Sequence, residues 1–162
     1  AVVPMRGKSK SGIVVKGIHD LAVRFSKCCN PVPGDEIVGF VTRGRGVTIQ
    51  RTDCINVLNL PEMERNRLID AEWQAEEDEK GTATYATEIS IYANNRIGMY
   101  VDIARIFTER EIDVTNMNAR TNKQGKATIT MSFDIHGTEE LNTLMAKIRQ
   151  IDGVLDIERT TG

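Results

Sequence analysis

The sequence predicts an α+β chain in two parts. A small mixed α/β domain carrying all three cysteines comes first, and a four-stranded α+β domain follows. Three observations predict this. After residue 83 the apolar pattern switches between period two and period 3.6 in the order strand, helix, strand, strand, helix, strand. Before it, cysteine, proline and glycine punctuate short strand signals. Between the two lies Gln74–Gly81 (QAEEDEKG), a charge run with no apolar residue beyond Ala75, which reads as a linker. The expected boundaries are a flexible lead-in at 1–12, a cysteine-containing domain at 13–74, an acidic linker at 75–82 and the second domain at 83–162.

With 162 residues there is room for one ordinary domain or two small ones. Forty per cent hydrophobic and 27% charged is ordinary soluble composition. No apolar run approaches the roughly 18 residues of a membrane span. The first residues, AVVPMRGKSK, have no apolar core of signal-peptide length and no initiator Met, so the sequence reads as a piece of a longer protein. Three cysteines, two of them adjacent, make a poor disulfide framework, which points to a reducing, cytoplasmic setting. The net charge of −2 hides an asymmetry. Residues 1–51 hold nine Lys or Arg against three Asp or Glu, residues 52–80 three against nine, and residues 81–162 nine against eleven. A basic first third suggests contact with a polyanion such as RNA, unless the basic and acidic segments simply pair with each other.

In the first domain, Ile13-Val14-Val15 suits a strand that closes at Gly17. Asp20 suits the N-cap of a short helix with Leu21, Phe25 and Cys28 on one face. Cys28-Cys29-Asn30-Pro31-Val32-Pro33-Gly34-Asp35 ends it, because two prolines and a glycine cannot continue a helix. Glu36–Thr42 then reads as a strand, Arg43-Gly44-Arg45-Gly46 as a hairpin turn and Val47–Gln50 as the return strand. Thr52 or Asp53 would cap a short helix through Cys54, Val57 and Leu58. Leu68–Trp73 alternates as an edge or last strand does.

The second domain is easier to read. Glu88–Ala93 alternates, burying Ile89, Ile91 and Ala93. Tyr100, Ile103, Ala104 and Phe107 repeat at i, i+3, i+4 and i+7, giving a helix over Met99–Arg110. Ile112–Thr121 is a second strand, Asn122–Gly125 a hairpin turn, and Lys126–Ile135 a third strand with Ala127, Ile129, Met131, Phe133 and Ile135 on one face. Gly137-Thr138 opens a helix with Leu141, Leu144, Met145 and Ile148 on one face, and Glu139 and Glu140 suit its dipole. Val154–Arg159 is the last strand. The order is that of the split βαβ, ferredoxin-like fold, with both helices on one face of a four-stranded sheet. The other sheet face would be wet unless a second copy covers it. The first strand-to-helix turn, Asn94-Asn95-Arg96-Ile97-Gly98, leaves helix N–H groups aimed at one spot and suits a carboxylate or another small anion.

Two stretches resemble one known family. Cys28 to Asn56 (CCNPVPGDEIVGFVTRGRGVTIQRTDCIN) resembles the Cys-containing RIS domain near the C-terminus of long RelA/SpoT stringent-response proteins. In that family an ACT domain follows, and ACT domains have the βαββαβ order. Asn95-Arg96-Ile97-Gly98-Met99-Tyr100 resembles the family's Asp-Arg-x-Gly-Leu-Leu turn. The resemblance spans about residues 13–160 and implies a non-catalytic regulatory region. Its parent would make and degrade guanosine tetra- and pentaphosphate with catalytic domains absent from this sequence. The resemblance further implies contact with ribosomal RNA and tRNA, a homodimer through the ACT domain, and in some members binding of a branched-chain amino acid (valine, leucine or isoleucine).

On this basis Asn95, Arg96, Ile97, Gly98 and Met99 are candidate amino-acid ligands. The ligand carboxylate would take the N–H groups around Gly98 and Met99, and its ammonium would need acceptors such as Asn95. Asn95 replaces the family's acidic residue. Asn116 and Asn118, on the second strand, are further candidates that a partner chain would supply. Ile97, Met99, Val101 and Met117 would form an aliphatic pocket. Arg43, Arg45 and Arg51 are the candidate RNA contacts, since glycines let a backbone approach phosphate and arginine contacts it bidentately. Cys28, Cys29 and Cys54 would offer three thiolates to zinc, which wants four ligands. The family has His four residues before the last Cys, and here Gln50 stands there, a poor zinc ligand. His19 has no spacing that demands it as a substitute. Zinc is therefore disfavoured, and three small buried thiols are expected. No nucleophile–base constellation is visible, because His19 and His136 fall in different domains.

Overall fold

The computed structural model describes the backbone of residues 13–15 and residues 22–44, 46–73 and 83–159 in full. The expected lead-in at 1–12, the linker at 75–82, His19, the Asp20 cap and Arg45 lie outside the described residues. The chain divides into two compact units, one ending at residue 82 and the other spanning residues 83–160.

In the first unit, strands β1 (Ile13–Val15), β2 (Val23–Phe25), β3 (Ile37–Thr42), β4 (Gly46–Arg51) and β5 (Leu68–Trp73) form one sheet in the order β1-β5-β3-β4-β2. Helix α1 (Ile55–Leu58) and a 3-10 turn at Glu62–Arg67 join β4 to β5. The β3–β4 hairpin runs in register from Ile37↔Arg51 to Thr42↔Gly46. Its core is Val47, Ile49 and Ala71, with Val23, Phe25, Ile37, Val41, Ile69 and Trp73 packed around it.

Three expectations fail here, each for a tertiary reason. Residues 23–25 form a strand parallel to β4, not part of a helix. Val23 and Phe25 lie opposite Val47 and Ile49, and the Phe25 ring stacks on Trp73 with centroids 5.7 Å apart. Burial of a β-branched and an aromatic residue outweighs a helical spacing of apolar residues. Gly46 makes the pairing possible. At φ +92° it lies so close to β2 that a Cβ there would sit 2.1 Å from the Ala22 carbonyl oxygen, which accepts the Val47 N–H. Second, Cys54 occupies the N-cap of α1 in place of Thr52 or Asp53. The N–H of Thr52 is donated to Glu36, and Asp53 holds Arg51. Third, β5 is the last strand of its unit yet lies between β1 and β3 and not at an edge.

In the second unit, β6 (Tyr85–Asn94), α2 (Met99–Glu109), β7 (Val114–Thr121), β8 (Lys126–Ile135), α3 (Thr138–Arg149) and β9 (Val154–Arg159) follow the βαββαβ order. The sheet is antiparallel, ordered β7-β8-β6-β9. Ile89, Ile91 and Ala93 of β6 and Ala127 to Ile135 of β8, at alternate positions, are buried with Met99, Ile103, Phe107, Leu141, Leu144 and Ile148 of the helices. Phe107 meets Phe133 edge to face, centroids 5.0 Å apart. Each of these large side chains contributes about 1.5–3 kcal/mol on burial, so this layer fixes where α2 begins.

Candidate functional site

The turn that starts α2 is tied down on both sides. The Asn94 N–H donates to the Gly153 carbonyl at 2.8 Å, and the Asn95 N–H to Gly125 at 2.7 Å. Arg96 wraps the turn. Its Nε donates to the Asp152 carbonyl at 2.9 Å, its Nη1 to the Ile97 carbonyl at 3.1 Å, and its Nη2 to Asp102 Oδ2 at 2.8 Å. Gly98 is the N-cap at φ +85°, a left-handed conformation that a side chain would strain. No side chain caps the helix. The Met99 N–H is donated back to the Arg96 carbonyl at 3.2 Å. An arginine and the positive end of a helix dipole thus share one corner, with Asp102 balancing part of the charge.

The expected ligand residues divide. Asn95, Arg96, Ile97 and Gly98 stand together at the turn. Ile97 is fully exposed, whereas the Met99 side chain is fully buried in the core. The aliphatic pocket expected from Ile97, Met99, Val101 and Met117 therefore does not form within one chain. Asn116 and Asn118 lie exposed on edge strand β7, in register with Ser132 and Thr130 of β8, and Thr130 pairs with Ser90 of β6. That sets Asn118 roughly 13 Å along β6 and about 10 Å across the sheet from Asn94. One chain does not bring these asparagines to the turn. The residues that sequence reasoning missed are Asp102, Asp152 and Gly153. An acidic residue in the first helical turn was a readable signal for Asp102; the other two act through backbone that the fold brings in from far along the chain.

The cysteines form a second cluster. Cys28 Sγ is 3.3 Å from Cys54 Sγ and 3.9 Å from Cys29 Sγ, and all three sulfurs lie within 4.8 Å of one another. Cys29 and Cys54 are buried with Val57 beneath, and Cys28 is half-buried. Ser26 Oγ lies 2.7 Å from Cys28 Sγ, and the Arg51 N–H donates to Cys29 Sγ at 3.3 Å. Burial raises the Cys28 pKa, but hydrogen bonds from Ser26, Asn56 and the other thiols outweigh it and hold the group below the ordinary thiol value. Burial pushes Cys29 up to about 12, and burial together with the Cys28 contact raises Cys54.

Three close cysteines can hold a metal. Sulfurs about 2.3 Å from a tetrahedral zinc lie about 3.8 Å apart, close to the spacing here. Among the described residues no His, Asp, Glu or further Cys joins the group. Gln50 pairs across the ladder with Val38, which packs on the cluster, and Gln50 Oε1 is buried without a hydrogen-bond partner. An amide oxygen is a hard donor, so the described residues do not complete a four-coordinate structural zinc site.

The expected RNA contacts also divide. Arg43 is exposed at the β3–β4 turn. Arg51 is turned inward, its side chain 8% exposed, paired with Asp53 and donating to the Cys29 carbonyl at 3.5 Å. Arg51 therefore braces the cysteine cluster and is not displayed to a partner. At the other end of the second unit, Thr84, Arg110, Glu111, Asp113, Asp134, His136 and Glu140 line an open cleft of about 590 Å³. None of the sequence-predicted residues lines it. Among the described residues, no helix is long and apolar enough to cross a membrane.

Residues 13–74 match the RelA/SpoT RIS domain, and residues 81–159 match the ACT domain. A GTP pyrophosphokinase of Escherichia coli (strain K12) is 35% identical over 158 residues, covering 97% of this chain and 21% of that protein. One from Streptomyces coelicolor is 32% identical over 168 residues, covering 99% of this chain and 19% of that protein. The crystal structure of the ACT domain from GTP pyrophosphokinase of Chlorobium tepidum is 25% identical, with a TM-score of 0.43, covering 48% of this chain and 99% of that one. The chain spans about a fifth of the length of the curated relatives it matches.

Proposed function

The chain belongs to the RelA/SpoT family as its RIS and ACT regulatory region, and from that premise we propose that the ACT unit senses a branched-chain amino acid while the RIS unit docks on ribosomal RNA. The two matched domains include no catalytic domain. The parent protein would make or degrade guanosine tetra- and pentaphosphate, and this region would report amino-acid supply to it in the cytoplasm.

One observation carries the sensor. A left-handed glycine opens α2 beside a fully exposed isoleucine, at the chain position of the ACT turn motif. The ligand carboxylate would sit at the Gly98 end of α2, next to the Arg96 guanidinium that Asp102 and Asp152 hold in place. The ammonium would take the Asn95 side-chain oxygen. The aliphatic side chain would lie on Ile97 and Val101, which are 100% and 59% exposed. Asn116 and Asn118 would come from a second copy. Strand β7 supports this, because it is exposed along nearly its whole length and leaves a sheet edge to be covered. In the RIS unit Arg43, with Arg45, would meet phosphate.

The test is calorimetric titration with valine, leucine and isoleucine against the chain and its Ile97→Glu variant. Ile97 buries nothing, so the variant keeps its fold. Saturable heat in the parent chain and its loss in the variant are expected. Absence of heat at millimolar amino acid would sink the sensor. The burial of Met99 favours a second reading, a ribosome- and tRNA-docking module with no small-molecule ligand. Under that reading the titration is silent while Arg43→Glu still weakens ribosome pelleting.

A further inference from the structure

The cysteine cluster has a geometry that neither RNA docking nor amino-acid binding uses. Three free thiols converge, two of them buried and one half-buried. The described residues complete no metal site around them. The closest pair is Cys28 and Cys54, with sulfurs 3.3 Å apart and 26 residues between them in the chain. Cys28 lies in a turn, and Cys54 caps the single-turn helix α1, so both sit on short, local backbone. A disulfide bond of about 2.05 Å needs the two sulfurs to approach by only a little over an ångström.

We propose that Cys28 and Cys54 are a redox-modification site, oxidised by a hydroperoxide to a reversible intramolecular disulfide. Cys28 is the thiol that a small peroxide reaches, because Cys29 and Cys54 are 1% and 0% exposed. Its sulfur, as thiolate, attacks the terminal peroxide oxygen. The O–O bond breaks, the alcohol (or water) leaves with a proton, and Cys28 becomes a sulfenic acid. The Cys54 sulfur then attacks the Cys28 sulfur. The S–O bond breaks, and the departing hydroxide takes the Cys54 proton and leaves as water. In sum, two thiols and one hydroperoxide give one disulfide, one alcohol and one water. The thiols lose two electrons and the peroxide gains them. A dithiol reductant reverses the bond by exchange.

Cys54 is the resolving thiol, not Cys29, for two reasons. Cys29 is farther, at 3.9 Å, and its sulfur holds the Arg51 N–H at 3.3 Å. Neighbouring residues also seldom reach disulfide geometry without distortion. Ser26 Oγ, 2.7 Å from Cys28 Sγ, holds the attacking sulfur in place.

The experiment exposes the purified 162-residue chain to hydrogen peroxide under native conditions. Remaining thiols are then alkylated and the peptides mapped by mass spectrometry, alongside metal analysis of the untreated protein. The expected result is loss of two of the three thiols, a Cys28–Cys54 cross-link within one chain, and full recovery with dithiothreitol. Cys29→Ala should form the same cross-link, and Cys54→Ala should leave Cys28 as a sulfenic acid trapped by dimedone. Mapping of the unmutated chain decides the question even if a variant fails to fold. Survival of all three thiols, or a cross-link joining Cys28 to Cys29 or to a second chain, would overturn the proposal. So would one tightly bound zinc per chain that leaves the thiols unreactive.

Discussion

Gln50 faces Val38 across the β3–β4 ladder, and Val38 packs on the cysteine cluster. A side chain at position 50 therefore lies beside three sulfurs already near tetrahedral spacing. Gln50→His replaces a buried, unpartnered amide oxygen by an imidazole nitrogen, a good zinc ligand. The variant should take up one zinc per chain and gain thermal stability that a chelator removes, read by metal analysis and melting with and without zinc; a variant that stays metal-free would place Gln50 out of reach of the sulfurs. A pH dependence follows from the same cluster. Cys29, with its pKa pushed up to about 12 from the ordinary 9.0 by burial, keeps its proton in the folded unit where the unfolded chain has lost it. Its contribution to stability is complete below pH 9.0 and is lost as pH rises from 9.0 towards about 12. Cys54, also raised, acts in the same sense. Cys28, held below 9.0, acts in the opposite one, its contribution present above that pH and lost on acidification. The denaturation midpoint of the first unit should therefore fall on the alkaline side, and the fall should be shallower in Cys29→Ala. The cysteines were legible as a group from sequence spacing. The inward turn of Arg51 was not, because only the folded position of Asp53 and the Cys29 carbonyl draws it in.

Whether an element can be read from sequence depends on where its partners lie. Strand β8 was legible to the residue, since ten positions alternate without a break and one face is buried throughout. Strand β2 was misread because its apolar residues also fit a helical spacing, and the strand that settles the matter, β4, lies more than twenty residues on. Helix α2 falls between these cases. Its periodicity and its glycine start were plain, but the fastening of its first turn was hidden, since Arg96 reaches the Asp152 carbonyl 56 residues away. The Arg96–Asp102 ion pair is about a third exposed on both sides, so its own worth is small. Asp102→Asn should cost at most about 1 kcal/mol in denaturant unfolding, combining a surface pair with a first-turn acid at the helix dipole. Its larger effect belongs to binding. With Arg96 released from Asp102, the guanidinium beside the Gly98 corner is no longer held in one place, and amino-acid affinity should fall several-fold in calorimetry. Equal loss of stability and affinity would mean that the pair is merely structural.

At the scale of the molecule, the two units are built differently. The second has a continuous core and both helices on one sheet face, and it leaves β7 as an open edge. Open edges are ordinarily covered or blunted, and β7 has neither proline nor lysine to blunt it. The proposed ligand set is split in the same way. The Gly98 corner and Asn116 with Asn118 are too far apart in one chain for a single amino acid to touch both. If both take part, the site exists only where two copies meet, and ligand and association must be coupled. By linkage, an amino acid that tightens the pair must itself bind more tightly to the pair, by the same factor. Sedimentation equilibrium should therefore show stronger self-association of the chain at saturating valine, leucine or isoleucine. The calorimetric affinity should also rise with protein concentration until the dimer is fully formed. Asn116→Ala with Asn118→Ala removes two exposed side chains, so the melting temperature should hold while both the affinity and the ligand-driven association fall. Amino-acid binding that is independent of protein concentration and unchanged in the double variant would place the whole site at the Gly98 corner of one chain, and β7 would then need another cover.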